Sequence, residues 1–180
     1  MTMKKIAKEL GQYFYENHDL ENDSEEFLDE TAPLIGYIVH YFNSLEQTLD
    51  HAICEKVSDR TDQPGAIIIH KLSYSAKVDL FYRMIRSMEL AFGKDLPSFN
   101  SLIQDLRKCG TLRNAVVHAD WNHVNEDGFT YVKLDFNKDG LKQHYWQFTA
   151  ESLMDIIKLI SETNLAFDKY EDEKQEMLSS

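Results

Sequence analysis

The chain has 180 residues, 43% of them hydrophobic and 12% aromatic, enough for one domain with its own core and too apolar for a disordered polymer. Nineteen basic residues against 31 acidic ones give a formal net charge of −12, which repels a polyanion at long range and argues against a broad phosphate-tracking surface. Apolar runs such as Ala66–Ile69 are far too short to span a bilayer, and Met1–Ile6 carries two lysines with no apolar stretch behind them. Two cysteines, Cys54 and Cys109, form neither a disulfide framework nor a zinc pattern, so a cytoplasmic protein without membrane contact is expected.

In chain order, residues 3–16 read as a helix with Ile6, Leu10, Tyr13 and Phe14 on one side. Residues 16–26 read as a polar, acidic linker in which His18 is solvated surface. A long helix is expected from Thr31 or Pro33 to Lys56, since a proline in the first turn loses no hydrogen bond. Its stripe of Ile35, Ile38, Phe42, Leu45, Leu49 and Ala52 calls for a long partner helix, in the same chain or in a second copy. His40 and His51 share the polar face without acidic or thiol ligands at matching spacing, so no metal site is read there. Residues 58–65 are turn-formers, and Ala66–Ile69 is ambiguous between a buried strand and an apolar turn.

The next helix starts near Ser73 or Ser75, carries Lys77, Leu80, Phe81, Met84, Ile85 and Met88, and stops at Gly93. Its methionines fit core filling. Pro97-Ser98 opens a helix that runs to about Ala119, with Gly110 as a point where it could break and restart on Thr111 as a cap. On this helix Leu112-Arg113-Asn114-Ala115-Val116-Val117-His118 puts Arg, Asn and His where propensity favours none of them. At about 100° per residue, Arg107, Thr111, Asn114 and His118 form one polar stripe, opposite Leu102, Leu106, Cys109, Leu112 and Val116. Arg113 lies about 140° from His118, so only its length could bring its guanidinium back to the ring. A cation and an imidazole converging on one spot suit a phosphate group; a polar helix–helix contact is the plainer use of the same residues.

Beyond Trp121, residues 129–136 alternate, residues 137–140 supply a glycine-containing turn and residues 141–148 follow as a second strand, a β-hairpin. Tyr145, Trp146 and Phe148, beside Lys133, Lys138, Lys142 and His144, either pack the hairpin onto the helices or stack on bases; packing is the favoured reading. The last helix begins at the cap Thr149, with Glu151 and Asp155 at its positive end, and carries Leu153, Ile156, Ile157, Ile160 and Phe167. Beyond Lys169 the acidic tail is expected to fray. The chain is thus read as one domain, 1–180. Its parts are an N-terminal helix and acidic linker (1–30), long helices including the motif helix (31–121), a β-hairpin (122–148), and a C-terminal helix with an acidic tail (149–180).

Arg113-Asn114-Ala115-Val116-Val117-His118 resembles the signature of HEPN domains, an Arg followed after four to six residues by His, often with Asn after the Arg. Ser73-Tyr74-Ser75-Ala76-Lys77-Val78-Asp79-Leu80-Phe81 is similar to the helix start, with its Lys, that often precedes the motif helix in that family. The resemblance covers roughly residues 31–167. It implies a mainly α fold, a HEPN-like antiparallel helical bundle, here with the β-hairpin between the motif helix and the last helix. It also implies a homodimer in which two Arg/His sets build one site, with no cofactor and no metal.

In that site Arg113, Asn114 and His118 would be catalytic, and Arg107, Thr111 and Asp120 would contact substrate. His118 would move a proton at the ribose 2′-hydroxyl or the leaving oxygen, Arg113 would hold the phosphate, and Asn114 would orient one of them. Two functions fit. One is a metal-independent RNA endonuclease of toxin–antitoxin or phage-defence type, with an antitoxin or regulatory protein as a partner. The other is a catalytically inactive dimeric module that binds nucleotides or RNA or acts as a scaffold, which the acidic net charge favours. Some toxin members carry a Tyr two residues after the motif His; Asp120 stands there instead, placed to pair with His118 or Arg113. Asp120 with His118 and His123 lacks good metal-ligand geometry. A nuclease needs Arg113 and His118 within reach of solvent, whereas a scaffold would bury Arg113 against Asp79, Glu46 or Asp50.

Overall fold

The computed structural model describes residues 3–10, 24–125, 127–138 and 140–179. These are mainly helical, in the order β1 (Lys5–Glu9), α1 (Ser24–Val57), α2 (Gln63–Ile69), α3 (Tyr74–Phe92), α4 (Phe99–Val117), β2 (Phe129–Asn137), β3 (Gly140–Gln147) and α5 (Ala150–Leu178). Two compact units result: Met1–Val39 with Leu112–Ile157, and His40–Thr111 with Lys158–Ser180.

The first unit holds an antiparallel sheet in the order β1-β3-β2. The hairpin of β2 and β3 lies where alternation placed it, with Tyr131 opposite Tyr145, Asn137 opposite Gly140, and a bulge between Tyr131 and Lys133. Gly128, at φ +80°, makes the tight entry: a Cβ there would run into the Phe148 carbonyl oxygen. Tyr145, Trp146 and Phe148 are buried, and Trp121 closes on Phe148 with ring centroids 5.2 Å apart, so these aromatics pack the hairpin.

The third strand corrects the N-terminal reading. Residues 5–9 are extended and pair with β3, Ile6 opposite Tyr145. Leu10 N–H donates to the Leu141 carbonyl at 3.0 Å, and Lys5 Nζ sits 3.6 Å from the Trp146 ring centroid. Ile6 and Leu10, four apart, fit a helical stripe, but all five β1 side chains are exposed. A ladder partner therefore decides the conformation, not a buried face. Tyr13, Phe14, His18 and most of the expected acidic linker lie outside the described residues.

α1 begins at Ser24, earlier than expected, so Pro33 stands inside the helix. The ring removes one hydrogen bond, but burial persists on both sides of it, at Thr31 and Ile38. Thr31 Oγ1 also donates to the Phe27 carbonyl at 2.7 Å. α5 is closed at its start by a reciprocal cap: Ser152 N–H donates to Thr149 Oγ1 at 3.1 Å, and Thr149 N–H to Ser152 Oγ at 2.9 Å.

In the second unit Phe42, Leu45, Leu49 and Ala52 are buried as the stripe requires. Ala66–Ile69, neither strand nor turn, belongs to α2, a short helix with a proline in its first turn. α3 opens on Ser73, whose hydroxyl accepts from Ala76 N–H, and closes on Gly93 at φ +65°. Phe81, Phe99, Phe167 and Tyr170 form the core, the Phe81 ring lying 5.9, 5.8 and 5.5 Å from the other three. Lys77, nearly buried, donates to Glu46 and Asp50 at 2.8 Å each.

α4 continues unbroken through Gly110, and α5 continues to Leu178, so the tail is helical where fraying was expected. Tyr170 and Met177 are buried there. Glu173 also reaches the start of α4, accepting from Ser98 N–H at 2.9 Å and Ser98 Oγ at 2.7 Å. Lys174 is buried between Glu55, at 3.6 Å, and Glu171. Acidic composition thus misreads this segment, because Glu171 and Glu173 have partners.

Candidate functional site

The motif lies at the C-terminal end of α4, where Leu112, Ala115 and Val116 are buried and Asn114, Val117 and His118 are exposed. This division follows from the helical period: Asn114 and His118 are one turn apart, so whatever faces the core at Ala115 leaves both on the outside. His118 N–H donates to the Asn114 carbonyl at 3.0 Å and closes the last turn. Trp121 Nε1 then donates to the Val116 carbonyl at 2.8 Å, satisfying an end carbonyl that would otherwise face water.

Arg113 is half-buried, and its Nη1 donates to Asn114 Oδ1 at 3.1 Å. The guanidinium is therefore held by the neighbouring amide of the motif. That bond fixes the Asn114 amide with its oxygen toward Arg113 and leaves its NH₂ for another acceptor. Among the described residues no side chain bonds the His118 ring, which faces solvent. In the second unit, Arg107 pairs with Asp79 at 2.9 Å, and Lys77 with Glu46 and Asp50.

Asp120 is the most tightly held residue of this region. Its N–H donates to the Tyr131 carbonyl at 2.8 Å, and its carbonyl accepts from Thr130 Oγ1 at 2.6 Å and from His123 N–H at 3.2 Å. Its carboxylate takes Asn122 N–H on Oδ1 at 3.3 Å and His123 Nδ1 on Oδ2 at 2.9 Å. The structure thus gives Asp120 to His123, a residue that sequence spacing alone dismissed. Burial, and secondarily the Asp120 charge, raise the pKa of the nearby Tyr131 phenol, which stays protonated at neutral pH.

Arg107 and Thr111 belong to the second unit. Arg107 is exposed, pairs with Asp79 and lies 5.6 Å from the Tyr82 ring centroid. Thr111 is exposed and its hydroxyl donates back to the Arg107 carbonyl at 3.0 Å. Both side chains therefore have local work.

Open grooves lie among the described residues of the second unit. One of about 440 Å³ is lined by Lys94, Leu96, Pro97 and Glu173 among others, and one of about 640 Å³ by Glu55, Lys56, Arg60 and Lys174 among others. Neither is lined by a motif residue. In the larger, burial and then the Lys174 ammonium lower Lys56 to about 8. Both thiols are shielded: burial pushes Cys109 up to about 11 and raises Cys54. Among the described residues no group of three or more His, Cys, Asp or Glu side chains is placed to hold a metal ion, and no helix is long and apolar enough to cross a membrane.

No protein-family model matches the chain, and no curated protein or solved structure matches it either.

Proposed function

We propose that the chain is a metal-independent RNA endonuclease of HEPN type, acting as a homodimer in a toxin or phage-defence setting, with an antitoxin or regulatory protein as partner. The observation that carries this reading is the end of α4. Arg113 is held by Asn114 at 3.1 Å, and one turn on His118 presents an exposed ring. An anchored guanidinium forks onto phosphate oxygens and offsets charge that grows as the P–O bond breaks. The Asn114 NH₂ adds a donor. His118 accepts or donates the proton at the ribose 2′-hydroxyl or the leaving 5′-oxygen. The 2′-hydroxyl is an internal nucleophile, so the reaction needs no metal to activate water.

A second reading, a catalytically inactive dimeric nucleotide- or RNA-binding scaffold, is favoured by the net charge of −12 and by the half-buried state of Arg113. Incubation of a labelled RNA pool with wild type and His118→Ala, with EDTA throughout and at several salt concentrations, separates the two. The nuclease reading expects cleavage by wild type and a loss of about 10²–10⁴-fold in the variant. RNA that is bound but left intact by both proteins establishes the scaffold.

A further inference from the structure

β3 is the middle strand of the sheet, so β1 and β2 are its edges. The Leu141 carbonyl accepts from Leu10 N–H, and Gln147 N–H donates to the Lys4 carbonyl, each at 3.0 Å. The odd-numbered residues of β3 therefore turn their backbone groups toward β1. Their opposite numbers in β2 are Phe129, Tyr131, Leu134 and Phe136, which accordingly turn theirs to the outer edge. Half of that edge is covered: the Phe129 carbonyl accepts from Asn125 N–H at 3.1 Å, and the Tyr131 carbonyl from Asp120 N–H at 2.8 Å. Among the described residues nothing takes the backbone groups of Leu134 or Phe136.

The open half is also apolar. Phe136 is 76% exposed, and Leu134 and Leu141, on the same face, are 39% exposed each. An uncovered edge of this kind is a template for another strand. Its sequence is nearly its own complement. Read antiparallel about Leu134, the run Val132-Lys133-Leu134-Asp135-Phe136 sets Leu134 against its copy, each Lys133 against an Asp135 and each Val132 against a Phe136. Antiparallel pairing joins residues that both face outward, so the groups of Leu134 and Phe136 allow two-fold registers centred on Leu134, Asp135 or Phe136. The second sets Asp135 against its own copy, and the third sets Leu134 against Lys138. Only the Leu134 register forms two opposite-charge pairs and no like-charge pair.

We propose that the open edge of β2, from Lys133 to Phe136, is a contact between two copies of this chain, paired antiparallel about a two-fold axis through Leu134. Leu134 N–H donates to the carbonyl of its copy and accepts the same bond in return. The Lys133–Asp135 pairs lie on one face of the seam, and Leu134 and Phe136 are covered on the other. The hairpin turns toward β3 after Asn137, so each strand leaves the ladder where Asp120 begins to cover Tyr131 of the other copy. Arg113, Asn114 and His118 take no part, so this contact goes beyond the proposed function and stands without it.

The test is the mass of the full-length chain in solution, by sedimentation equilibrium over a range of concentrations and without RNA. Lys133→Asp lines the seam with four carboxylates, and Asp135→Lys lines it with four ammonium groups. Each should halve the wild-type mass, from four copies to two if the Arg113/His118 sets also pair and otherwise from two to one. Mixed in equal amounts, the two variants meet with opposite charges and should regain the wild-type mass, which also shows that both are folded. Leu134→Cys should oxidise to a linked pair, since directly opposite Cα atoms lie about 5.5 Å apart, within disulfide reach. Phe136→Cys should not, because the register sets it about 13 Å from its copy along the strands. A wild type that holds one copy, charge variants that keep its mass or fail to regain it together, or a link at position 136 in place of 134 overturns the proposal. Each of these leaves the nuclease reading to its own test on RNA.

Discussion

Tyr74 meets Gly110 with one edge of its ring. Its hydroxyl donates to the Leu106 carbonyl at 3.0 Å, and two of its ring carbons stand 2.8 Å from where a Gly110 Cβ would be. The glycine that could have broken α4 is the notch that admits this ring. The ring also packs on Phe42, with centroids 4.6 Å apart.

Gly110→Ala therefore sets two effects against each other. Helix propensity gains about 1 kcal/mol, and overpacking against the ring costs about 1–3 kcal/mol. We expect a net loss of about 0–2 kcal/mol in denaturant unfolding, turning into a gain when the same change is made in Tyr74→Ala. A gain in the wild-type background would mean that the ring does not occupy the notch.

Lys56 carries a pH dependence with a definite sign. Its pKa falls from the ordinary 10.5 to about 8 on folding, so the unfolded chain holds the proton more tightly. Folding is opposed by this group below pH 8, and the opposition fades as pH rises from 8 to 10.5. Lys56→Met should raise the unfolding midpoint at pH 7, with the advantage shrinking across that window. An advantage that grows with pH would reverse the sign and contradict the account.

The carboxylate of Glu173 satisfies the backbone donor and hydroxyl of Ser98 at the start of α4. Glu173→Ala should cost about 1–2 kcal/mol, the usual loss for a helix cap. Ending the chain after Lys169 should cost more, because it also removes buried Tyr170 and Met177. Equal stability of the full and shortened chains would return the tail to the frayed state that its composition implies.

What could be read in advance follows from where the information resides. Ser73, Gly93 and Thr149 are local stop and start signals, and the hairpin alternates, so α3, the opening of α5 and the sheet's two long strands were legible. β1 was not, because Lys5–Glu9 buries nothing and owes its conformation to pairing with β3, more than 130 residues away in sequence. α5 outran its apolar stripe because Glu173 and Lys174 find partners on other segments. The exposed face of Asn114 and His118 followed from the helical period. The Asp120–His123 contact did not, since it depends on a turn whose shape is set by β2.

On the proposed function, this chain cuts RNA through the ribose 2′-hydroxyl with an imidazole at position 118. The most direct measurement is cleavage, in EDTA, of an RNA carrying one mapped scissile site, beside the same strand with a single 2′-deoxy nucleotide on the 5′ side of that bond. The account predicts that wild type cuts the all-ribose strand to a 2′,3′-cyclic phosphate and spares the bond next to the deoxy nucleotide, and that His118→Ala cuts neither. Cleavage at the deoxy position, products ending in a 5′-phosphate, or full activity in His118→Ala would contradict it.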